Sequence, residues 1–126
     1  MLKELMKPRL KSMFGVNKGM KPFVREHEES ALLGAEQKLK KYLAMTEKAL
    51  SLVKVAATNK SSKEYKSAVD FLQMAKDYLS DSKHFHSKGD VLTAIAAASY
   101  AHAWLDAGAR LGLFKVDSSS GLFTVE

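Results

Sequence analysis

The chain has 126 residues, enough for one domain that buries a core of its own. It contains no cysteine, which excludes a disulfide framework, thiolate chemistry and cysteine-ligated zinc, and makes a reducing cytoplasm the expected setting. The net charge of +6 sits in a tail: residues 1–22 hold six Lys/Arg and one Glu, while the other 104 hold fourteen bases and thirteen acids, so the high pI implies nothing about a nucleic-acid-reading surface on the folded body.

Residues 1–24 read as a flexible or loosely helical basic arm, because both prolines (Pro8 and Pro22) fall there together with Gly15 and Gly19. The opening "MLKELMKPRL" lacks the apolar run of a secretory signal. Met6, Met13 and Met20 leave open a biological start downstream of Met1. Lys3, Lys7, Arg9, Lys11, Lys18 and Lys21, with Met13, Phe14 and Phe23 between them, are candidate contacts to RNA, the ribosome or anionic lipid. The alternative for the same residues is a solvated terminus.

From about Glu26 a helical pattern begins. Leu32, Ala35, Leu39, Tyr42, Thr46, Ala49, Val53 and Ala56 recur in steps of three and four, with Glu36, Lys38, Lys40, Lys41, Glu47 and Lys48 between them. That is an amphipathic helix, ended by the polar "TNKSS" at 58–62, where Ser61 or Ser62 can cap the next element. A second helix follows from about Lys63 to Ser87, with Tyr65, Ala68, Leu72, Ala75, Leu79 and Ser82 as its stripe, flanked by Phe71, Tyr78 and Phe85. In "SKGD", Gly89 suits the left-handed residue that closes a helix and Asp90 suits the N-cap of the next. So short a link requires the two helices to lie antiparallel.

The third helix, in "GDVLTAIAAASYAHAWLDAGARLG" (89–112), runs fifteen residues from Val91 to Leu105 without a charged side chain, and six of the fifteen are alanine. A bilayer needs about 20 apolar residues, so no membrane span is expected. A helix apolar on all sides is instead covered on all sides. Ala97, Ala101 and Trp104 are the candidate interaction face. The rest of the helix is expected to be covered by the tail or by a second copy of the chain. In the tail, Leu113-Phe114-Lys115-Val116 and Leu122-Phe123-Thr124-Val125 flank the turn-forming "DSSSG", which reads as a short β-hairpin or an extended apolar flap.

One segment carries a family resemblance. "AKDYLSDSKHFHSKGDVLTAIAAASYAHAWLDAGARLG" resembles the archaeal family known as domain of unknown function 357, through Tyr78, Asp81 and Phe85 before "KGD", then Ala94, "SYAHAWLDAG" and "RLG". The resemblance spans roughly residues 30 to 114. It implies a compact left-handed three-helix bundle and implies no activity. The hairpin also resembles a tetratricopeptide helix pair, but no 34-residue repeat is found.

If the hairpin turns at Gly89, facing residues have numbers summing to about 178. Tyr78 then faces Tyr100, Asp81 faces Ala97, Asp77 faces Ala101 and Met74 faces Trp104. Asp77, Asp81, Tyr100 and His102 form the one constellation with catalytic character, carboxylates orienting a phenol or an imidazole for proton transfer. The competing explanation is a buried tyrosine that takes a carboxylate partner. His84 and His86 point about 200° apart on a helix and cannot share a metal, and they suit the solvent-facing last turn, so no metal site and no cofactor are expected. Asp106 and Arg110 are spaced to pair. No nucleotide-binding glycine loop occurs. The Arg-to-His spacing of helical ribonucleases is missing too, since no His follows Arg110 and His27 follows Arg25 too closely.

The expected architecture is all-α: an arm (1–24), an antiparallel three-helix bundle (25–114) and a tail (115–126). The expected function is a non-enzymatic protein-interaction or self-association module. RNA or ribosome association through the arm is the alternative, and a small enzyme built on the Asp/Tyr/His cluster is the second alternative.

Overall fold

The computed structural model describes residues 26–123. The basic arm, with all six of its candidate nucleic-acid contacts, lies outside the described residues, as do Thr124 and Val125 of the tail. Three helices dominate: α1 (Glu26–Leu52), α2 (Lys63–Ser87) and α3 (Val91–Arg110). Two short strands, β1 (Lys54–Val55) and β2 (Phe114–Lys115), pair antiparallel with Lys54 opposite Lys115 and Val55 opposite Phe114. A single 3₁₀ turn spans Ser118–Ser120. The chain is an all-α three-helix bundle closed at one end by a β clasp.

The helix ends follow from their cap residues. Ser62 caps α2, its hydroxyl oxygen accepting the Tyr65 N–H at 3.1 Å. At the other end Gly89 takes φ 77°, its N–H reaches the His86 carbonyl at 3.0 Å, and the Asp90 N–H reaches the Phe85 carbonyl at 2.9 Å. That is a Schellman closure. Asp90 then starts α3, its carboxylate accepting the Thr93 N–H at 3.3 Å. One residue thereby ends one helix and begins the next, which leaves the α2–α3 hairpin no slack. A second closure of the same kind ends α3, where Gly112 (φ 76°) and Leu113 donate to the carbonyls of Ala109 and Gly108.

Helix α1 stops earlier than its apolar stripe. Val53 and Ala56 continue the helical spacing, yet the chain becomes extended after Leu52, β1 pairs with β2, and the Ala56 N–H donates to the Leu113 carbonyl at 2.9 Å. The β-branched Val53 and Val55 suit the extended form. The stripe also outruns its cover at the other end, where Leu32 and Leu33 are exposed.

The core has two parts. Toward the α2–α3 turn, Leu39 of α1 and Phe85 of α2 enclose Ala94, Ala97 and Ala98 of α3. Toward the clasp, Ala49, Ala68, Ala75, Leu105 and Ala109 gather around Phe114 and Phe123 of the tail. The alanines let the helices approach closely, and the phenylalanines fill the spaces left between them. The tail therefore supplies part of the cover expected for α3. Its strand partner is β1 rather than the second apolar word, whose Phe123 packs into the core instead.

Candidate functional site

Helix α3 is the centre of the molecule, and its side chains divide by direction. Toward α2, Tyr100 meets Tyr78 with ring centroids 5.3 Å apart, and Trp104 meets Phe71 edge-on at 4.9 Å. The Ser82 hydroxyl donates to the Ala94 carbonyl at 2.6 Å. These contacts hold the expected register near Tyr78, while Trp104 packs on Phe71, one turn beyond Met74. Ala97 and Ala101 expose none of their surface. Their methyl groups are thus spent on contacts inside one chain, and an interface with another molecule has to use a different face. Trp104 is half-buried beside them.

The four residues with catalytic character are placed as follows. Asp81 is fully buried on α2. Asp77 is half-buried and accepts a hydrogen bond from Gln73 Nε2 at 3.0 Å, one turn away on its own helix. Tyr100 faces Tyr78. His102, about 200° further round α3 than Tyr100, looks toward α1, where it lines a cleft with Tyr42, Met45, Thr46, Ala98 and Ser99. The ring of Phe123 stacks against it at 6.3 Å. Tyr100 and His102 therefore face different neighbours, because residues two apart on a helix cannot point the same way.

A link that spacing alone does not show joins α1 to α2. His86 Nε2 meets Glu36 Oε1, and both side chains are about 30% exposed. His86 is therefore half-buried against α1 rather than turned to solvent. Lys83 meets Glu47 a little further along, in a more exposed pair. Fifty residues separate His86 from Glu36, so no local pattern pointed to the contact. Asp106 is half-buried and Arg110 exposed. In the tail, Asp117 caps the 3₁₀ turn, and hydrogen bonds from the Ser119 hydroxyl and backbone hold its carboxyl below the ordinary carboxylate range. Among the described residues, no group of three His, Asp or Glu side chains is placed to hold a metal ion, and no helix is long and apolar enough to cross a membrane.

The remaining face of α3 is open. Leu92, Ser99, Ala103 and Ala107 are exposed and Ala96 is half-buried, all along one side of the helix, with Leu111 exposed just past its end. An uncharged central helix, clamped by two others and by a tail strand, with one side bare, defines a small helical-bundle domain. The family model described as "Protein of unknown function (DUF357)" matches residues 41–114, and the chain belongs to that family. The match takes in the end of α1, the whole α2–α3 hairpin and Phe114 of the clasp. Comparison with curated proteins and with solved structures gave no match.

Proposed function

We propose that the protein is a non-enzymatic self-association module, in which the open face of α3 packs against the same face of a second copy. The pattern of that face supports the reading. Small side chains (Ala96, Ser99, Ala103, Ala107) occupy its middle, and a leucine stands at each end, Leu92 at 61% and Leu111 at 68% exposure. A two-fold interface is self-complementary. Set antiparallel about a point near residue 101, Leu92 of one copy lies by Leu111 of the other and Ser99 by Ala103. Small residues at the crossing allow the backbones to come close, and from Val91 to Leu105 no like charges oppose one another. The expected setting is a reducing, cytoplasmic one.

Ala103 is exposed and near the crossing point. Ala103→Glu is expected to turn a dimer into a monomer in light scattering while leaving helical content and cooperative melting intact, because each new carboxylate would be pressed against Ser99 of the other copy. A parent chain that is monomeric at high micromolar concentration would overturn the proposal.

The uneven charge favours one second reading, association with RNA through residues 3–21. About six phosphate contacts imply a salt slope of about −4 to −5 in log–log form. RNA affinity that survives deletion of residues 1–21 would sink this reading.

A further inference from the structure

The cleft between α1 and α3 has a shape and lining of its own. Its volume is about 230 Å³, and its walls are Tyr42, Met45 and Thr46 from α1 and Ala98, Ser99 and His102 from α3. For scale, an apolar cavity of about 150 Å³ takes up benzene. There is room here for one aromatic ring and a few more atoms. The walls are mostly hydrocarbon and thioether, which suits the body of such a molecule.

The polar groups in the lining share one capacity. Tyr42 and Thr46 bring hydroxyls and His102 brings an imidazole, all able to donate, and no carboxylate lines the cleft. Ser99 already donates to the Ile95 carbonyl at 2.9 Å. Thr46 is only 2% exposed, so its hydroxyl is committed to the interior. The His102 ring is held on its other side by the stacked ring of Phe123. Tyr42 and His102 are left to donate to an acceptor group such as a carboxylate.

We infer that this cleft binds a small aromatic or similarly compact apolar acid, its ring against Met45 and Ala98 and its carboxylate toward Tyr42 and His102. The site is separate from the open face of α3, since of its lining residues only Ser99 also belongs to that face.

The full-length chain, labelled at histidine and at methionine methyl groups, can be titrated with benzoate and, in parallel, with benzene. Benzoate is expected to shift the resonances of His102 and Met45 saturably, with millimolar or tighter affinity, and to bind at least several-fold more tightly than benzene. Tyr42→Phe keeps the volume and removes one donor, so it should weaken benzoate several-fold and leave benzene unchanged. Met45→Trp should fill the cleft and abolish both. If that variant fails to fold, the Tyr42→Phe comparison still decides. Absence of any saturable shift with benzoate overturns the site, and equal binding of benzoate and benzene, unchanged in Tyr42→Phe, overturns the assigned ligand class.

Discussion

Ala101→Lys is expected to abolish the cooperative melting transition, and Ala101→Leu to lower stability by about 1–3 kcal/mol. Ala101 exposes no surface and sits one turn from Ala97 on one side and Leu105 on the other, between the two parts of the core. Leucine adds three carbons where close helix approach leaves no space, so α2 or α1 must move outward. For a domain near 100 residues, each 1 kcal/mol corresponds to about 4–8 °C in melting temperature. Lysine adds an ammonium group at a position closed to water, and its desolvation costs more than overpacking alone. Single domains have only about 5–15 kcal/mol in total. Thermal denaturation followed by circular dichroism measures both effects. Variants that melt like the parent would show position 101 to be open to solvent.

That buried position was legible in the sequence because α3 is unusual over a long stretch: one charged residue anywhere between 91 and 105 would have marked a wet side. The caps were legible for a similar reason. Ser62, Gly89 and Asp90 each perform a local task that few residue types can, and each stands where the apolar pattern stops. The β clasp was not legible. Val53 and Ala56 fit the helical spacing of α1, and the reason they leave it lies some sixty residues away in Phe114 and Lys115. The resemblance between the two tail words pointed to their pairing with each other, and only tertiary packing separates a strand residue (Phe114) from a plug residue (Phe123). The same limit applies to His86 and Glu36, and to the cleft, whose α1 and α3 walls have no spacing in common. Of the cluster Asp77, Asp81, Tyr100 and His102, helix geometry alone separates the last two by direction, and that was available from their numbering.

Truncating Phe114 to alanine is expected to cost about 3–5 kcal/mol, the range for a buried phenylalanine, and Gly108 offers a way to show that the clasp is the cause. Phe114 is 4% exposed and lies against α3 at Gly108. A Cβ built on Gly108 would stand 2.1 Å from Phe114 Cε2 and 2.6 Å from Cδ2, so the ring cannot stay where it is. Two effects then oppose each other in Gly108→Ala. Alanine is favoured over glycine inside a helix by about 1 kcal/mol, whereas moving a buried ring by the width of a methyl group costs about 1–3 kcal/mol. The ring is walled in by Leu105, Ala109 and Phe123, so the clash should prevail and Gly108→Ala should destabilise the parent chain. In the Phe114→Ala background the obstacle is gone. There the same substitution should stabilise by up to about 1 kcal/mol, since the helix preference remains and the new methyl fills part of the vacated space. Urea denaturation of the four chains gives the coupling directly. A Gly108→Ala effect of the same sign in both backgrounds would mean that Phe114 does not rest on α3, and the tail would lose its place in the core.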